Sequence, residues 1–136
     1  MPIQRIIIIF FSLFLFACSS SNNEQKQLEL LAINRASLIE SGLPIEVGPL
    51  HIMRASANKN FIEIMMIYNS DDKGAKPIKQ LLTQSIHYYC SNKTMISNLD
   101  IGLMYRIKIR SPRGQLIVDK YINKSTCQSI VKQQSH

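Results

Sequence analysis

Ile6 to Ala17 form an apolar run broken only by Ser12, preceded by the cation Arg5 and followed at once by Cys18. This run decides how much chain is left to fold. It falls well short of the roughly 20 residues a helix needs to cross a bilayer. A positive residue, a short apolar segment and a small residue before the break are the parts of an export signal that is cut away. Taking residues 1–17 as that signal leaves 119 residues. That suits one domain with a modest core and excludes a large multidomain enzyme.

Leu15, Phe16, Ala17 and Cys18 resemble a bacterial lipobox, in which the signal is removed and the cysteine becomes a lipid-bearing N-terminus. Phe16 departs from the pattern, being bulkier than the small residue usual there. The other reading is an ordinary secretory signal cut nearby, which leaves Cys18 a free thiol. Ser19, Ser20, Ser21, Asn22 and Asn23 are polar, so residues 18–23 are expected to be a lipidated Cys18 with a flexible tether, and 24–136 a single periplasmic domain. Ser19, standing where an aspartate would favour inner-membrane retention, leans the resemblance toward the outer membrane. Acyl chains contribute about 0.8 kcal/mol per buried CH2, and several together anchor durably where one is marginal.

The chain carries sixteen Lys plus Arg against nine Asp plus Glu. Losing Arg5 leaves it moderately basic, compatible with nucleic acid, anionic lipid or an acidic protein; export argues against nucleic acid. With Cys18 lipidated, Cys90 and Cys127 remain. An oxidising compartment and the absence of a competing metal-type spacing predict that they form a disulfide. On the chain-entropy model, closing that loop stabilises the fold by about 4 kcal/mol.

Glu24 to Ser41 repeats apolar residues at helical spacing, with Leu28, Leu31, Ala32, Leu38 and Ile39 expected on one face and Leu30 and Ile33 broadening it. Gly42 is placed to end this helix in a left-handed conformation, and Pro44 stops it resuming. Leu50–Ala57 and Phe61–Tyr68 are strand-like runs around Asn58, Lys59 and Asn60, a hairpin. The second carries apolar residues on both faces and is expected to be central and covered on both sides. Pro77 opens a second helix, in which Ile78, Leu81, Leu82, Ser85, Ile86 and Tyr89 share a face. Ser91–Asp100 is expected to be a loop with a helical turn. Gly102–Arg110 alternates Leu103, Tyr105, Ile107 and Ile109 with Met104, Arg106, Lys108 and Arg110, one face buried and one cationic. After a turn at Ser111–Gly114, Gln115–Ile122 returns as its partner, and a short helix from Thr126 is expected to follow. The prediction is an α+β domain, a two-layer α/β sandwich of about four mostly antiparallel strands in one sheet, covered by two main helices and closed by one disulfide.

Signals for catalysis are weak. His51, His87 and His136 have no ligand-type spacing, Asp71 and Asp72 sit in a polar corner, and no nucleophile elbow, metalloprotease motif or phosphate loop occurs. No enzyme, metal or cofactor is expected. Binding signals are better. From Ile101 onward seven Lys and Arg face Asp119 alone, and Arg106, Lys108 and Arg110 could hold carboxylates or phosphates. Met53, Met65, Met66 and Met104 could line a groove for an amphipathic helix.

Several stretches taken together resemble the AspS-type pilotins of type II secretion systems. They are Gln27–Ala32, Asn34–Leu38, Gly48–Leu50, Ile52–Ala55, Met65–Asn69, Tyr88–Asn92, Tyr105–Arg110 and Arg113–Leu116. The resemblance implies an α/β domain with an internal disulfide on an outer-membrane lipoprotein facing the periplasm. Such a protein, placed by the lipoprotein sorting machinery, binds the C-terminal segment of secretin subunits and brings them to the outer membrane for assembly. Two other classes stay open: a periplasmic inhibitor of lysozyme or a protease, and a structural envelope lipoprotein that contacts peptidoglycan or lipopolysaccharide.

Overall fold

The computed structural model describes residues 20–134, so the expected signal peptide, Cys18 and His136 lie outside the described residues. The elements in chain order are α1 (Ser20–Glu40), β1 (Ile45–Val47), β2 (Leu50–Asn58), β3 (Phe61–Tyr68), α2 (Ile78–Ser91), α3 (Lys93–Asp100), β4 (Met104–Arg110), β5 (Leu116–Ile122) and α4 (Lys124–Gln134). The five strands form one sheet in sequence order. Every neighbouring pair is antiparallel except β3 and β4, which are parallel and joined by the crossover through α2 and α3.

Burial alternates residue by residue along β3 and β4, as it must when one face of a pleated sheet is covered and the other is wet. Ile62, Ile64, Met66 and Tyr68 from β3 and Tyr105, Ile107 and Ile109 from β4 form the buried face. They meet Ala32 and Ala36 of α1, Tyr89 of α2 and Leu99 of α3 in one core. β3 is central, as expected, but covered on one side only. Its other face, Phe61, Glu63, Met65 and Ile67, is half-exposed.

Four other expectations need revision. The sheet has a fifth strand, β1, too short at three residues to show alternation in the sequence; Gly48, at φ 56, makes the turn that returns it onto β2. α1 begins at Ser20, so Ser20–Asn23 continue the helix instead of forming a tether. Ser91–Asp100 is mostly a true helix, because the Asn92 side chain accepts hydrogen bonds from the amides of Thr94 and Met95 at 3.0 and 3.2 Å. Gly42 does not adopt the left-handed conformation. The last carbonyls of α1 are instead satisfied by tight-turn bonds from the Gly42 amide to Ile39 and the Leu43 amide to Glu40.

The Cys90–Cys127 disulfide is present, with a Cα–Cα distance of 5.2 Å. It joins the end of α2 to the first turn of α4, which Asn123 caps by accepting the Thr126 amide at 2.8 Å. The Tyr105 hydroxyl accepts the Asn98 side-chain amide at 2.7 Å, which satisfies the buried polar residue Asn98.

Candidate partner-binding surfaces

The open face of the sheet gathers most of the residues expected to bind a partner. The register places Met65 beside Lys108 and Glu63 beside Arg106, and Arg106 opposite Tyr121 and Lys108 opposite Asp119. Met104 and Arg110 lie at the two ends of β4 on the same face. Met66 does not join them: it alternates onto the core face, is 4% exposed and packs within the core. Met53 stands apart, the extra residue where the β2–β3 register shifts between Ile52 and Arg54.

The cations on this face are largely spent within the fold. Arg106 grips Asp119 through two hydrogen bonds of 2.8 and 2.7 Å and reaches Glu63 at 3.3 Å. Its guanidinium also lies over the Tyr121 ring at 4.9 Å. Lys108 donates to the other oxygen of Glu63 at 3.0 Å. The Arg106 fork holds the Asp119 carboxyl below its ordinary range. Two cations and two carboxylates on neighbouring strands cancel, a cross-strand ladder that fixes register more than it presents charge. Arg110 makes no ion pair among the described residues; it donates to the Gly114 carbonyl at 2.8 Å and braces the β4–β5 turn.

A second surface runs along α1. The residues α1 buries are Leu28, Ala32, Ala36 and Ile39, spaced to face the sheet; the two alanines let the helix approach closely. Leu31 and Leu38, expected to join them, are instead exposed together with Leu30 and Ile33. Burying a leucine is worth roughly 1.5–3 kcal/mol, so four large apolar side chains left in water on one helix are a concentrated surface feature, beyond ordinary scatter. Arg35 lies between Leu31 and Leu38. Its Nε is buried without a hydrogen-bond partner among the described residues. The signal for this packing was in the sequence: Leu28, Ala32, Ala36 and Ile39 keep an i, i+4, i+8, i+11 spacing that the bulkier leucines masked.

A third feature is an apolar pocket of about 510 Å3 at the disulfide, lined by Cys90, Cys127, Ile96 and Leu99 and flanked by a Lys124–Asp100 ion pair of 2.8 Å. None of the expected binding residues reaches it. His51 meets Glu46 at 3.3 Å, far along the chain from His87 on α2, and the described residues contain no cluster of metal-ligating side chains. No helix among them is long and apolar enough to cross a membrane.

Comparison with known proteins places this architecture. Residues 24–127 match the family model of the type II secretion system pilotin, S protein. The pilotin EpsS of the Vibrio vulnificus type 2 secretion system is 54% identical, superposes with a TM-score of 0.75, and is matched over 79% of this chain and 98% of its own. The type II secretion pilotin AspS of Vibrio cholerae is 47% identical with a TM-score of 0.74, over 80% of this chain and 100% of its own. A Pseudomonas aeruginosa protein described as secreted shares the fold at 12% identity, with a TM-score of 0.66. No curated protein matches in sequence. The chain belongs to the type II secretion pilotin S protein family.

Proposed function

We propose that this protein is an outer-membrane lipoprotein, acylated at Cys18, that holds the C-terminal segment of type II secretin subunits and pilots them to the outer membrane for assembly. The observation that carries the reading is the family match across residues 24–127, with about half the residues identical to two pilotins of the same fold. The role asks for an anchor and a binding surface, and no bond-making chemistry. An anchor raises the local concentration of anything the domain holds, so modest affinity suffices for delivery. With α1 starting at Ser20, two residues after Cys18, that anchor would join a helix of about 31 Å almost directly.

Calorimetric titration of the full-length chain, purified in detergent, with a synthetic peptide from the C-terminus of the secretin of the same cell tests the binding step. One-to-one binding at micromolar affinity or tighter is expected; no heat from a folded, oxidised protein would remove the reading. Mass spectrometry of the protein from membranes tests the anchor, with a diacylglyceryl and an N-acyl group on Cys18 as the expected result.

A further inference from the structure

Glu40 fixes how α1 is turned on the sheet. Its carboxylate accepts the backbone amide of Ala55, in the part of β2 beyond its pairing with β1. That side of the helix therefore faces the outer edge of the sheet. Leu38 stands roughly 160° round the helix from Glu40, and Leu31 and Arg35 share its stripe at i−7 and i−3. The stripe faces inward, toward β4 and α2. Two observations place the end of α2 opposite it. Tyr89 stacks against Tyr105 with ring centroids 4.9 Å apart and meets Tyr88 edge-on at 5.9 Å, and Tyr89 and Tyr105 share one buried core with Ala32 and Ala36 of α1, the latter next to Arg35 in sequence. Tyr88 itself is 52% exposed. On this orientation the exposed Leu31 and Leu38 of α1 and the exposed Tyr88 at the end of α2 would form the two walls of an apolar cleft. Arg35 belongs to the same stripe, with no carboxylate within ion-pair distance among the described residues.

We propose that this cleft, and not the open face of the sheet, receives the partner: an apolar peptide segment bearing an aspartate or glutamate that pairs with Arg35. The proposal rests on the secretin reading for the partner's identity. Charge complementarity selects a protein segment over a lipid surface. A helix that lies on anionic lipid needs a strongly cationic polar face, whereas α1 carries Lys26 and Arg35 against Glu24, Glu29 and Glu40. An arginine in an apolar cleft is instead suited to one carboxylate, which its fork would meet with two parallel hydrogen bonds. On the open face the equivalent fork is already occupied by Asp119.

The test measures the affinity of the full-length chain in detergent for the secretin C-terminal peptide and for versions with each Asp or Glu changed to Asn or Gln. Arg35→Met and Leu38→Glu are each expected to weaken binding about tenfold or more, and Met104→Glu to leave it within about twofold. Arg35→Lys, which keeps the charge but loses the fork, is expected to fall between. Circular dichroism melting separates lost binding from lost folding. Neutralising one peptide acid should weaken binding to the unsubstituted chain and leave Arg35→Met unaffected. Full affinity in Arg35→Met and Leu38→Glu, with loss in Met104→Glu, would overturn the cleft and leave the pilotin reading standing. The cleft also falls if Leu38→Glu alters only partition onto phosphatidylglycerol vesicles. An unsubstituted chain that binds no peptide would overturn the secretin reading itself, and with it the partner assigned to the cleft.

Discussion

Arg106 and Arg35 are both partly covered arginines on a basic protein, and they differ in what surrounds them. Arg106 sits on the open sheet among Asp119, Glu63 and Tyr121, with each terminal nitrogen engaged. Arg35 sits on α1, and among the described residues it has no carboxylate within ion-pair range and its Nε is unpartnered. The strand that looks most cationic in the sequence is the one whose charge the fold consumes, and an arginine in an otherwise apolar helical stripe keeps its own. A charge count therefore says little about binding until the cross-strand partners are known.

The largest effect that separates the two faces of the sheet is in the core. Ile107, wholly buried in the core, is expected to cost about 2–5 kcal/mol when changed to Ala. Its neighbour Lys108, on the open face, should cost about 1 kcal/mol or less; urea unfolding of both variants measures the contrast. Comparable losses would mean that the open face is covered in the native protein.

Next comes the wall of the cleft. Cys90→Ser with Cys127→Ser frees the end of α2 from α4 and should lower stability by about 4 kcal/mol. Secretin-peptide affinity should fall with it, because Tyr88 and Tyr89 belong to that end of α2. Denaturant midpoints with and without reductant read the first part, and titration of the folded fraction the second.

The smallest effect concerns Asp119. Its folded-state pKa is lowered, chiefly by the hydrogen bonds from Arg106, so its contribution is present above the unfolded carboxylate value near 3.9 and is lost as pH falls through the depressed folded value. Asp119→Asn should therefore cost about 1 kcal/mol or less at pH 7 and flatten the acid limb of the stability profile, while peptide affinity at pH 7 is unchanged. A drop in affinity would place the partner on the open face.

Much of the fold was legible in the sequence because its signals are local. Alternation from Leu103 to Arg110 gave the strand and its buried face, Pro77 and the Ile78–Tyr89 spacing gave α2, and two remaining cysteines in a chain read as exported gave the disulfide. What escaped depended on tertiary partners. β1 is three residues held by pairing to β2, and the Asn92 cap turns an apparent loop into α3. On α1 the choice of buried face went to Ala32 and Ala36, since small side chains allow helix and sheet to close, and Leu31 and Leu38 were left outside. The expected site divided for the same reason. Met66 alternated into the core, and Arg106 and Lys108 met Glu63, which is forty-three residues from Arg106 in sequence and invisible to any local reading.

Photocrosslinking in intact cells tests the central contrast most directly. A benzophenone side chain is placed at Leu38 in one strain and at Met104 in another, and the irradiated membranes are probed for the secretin. The account predicts a secretin adduct from position 38 and none from position 104. An adduct from 104 alone would contradict it and return the partner to the open face of the sheet.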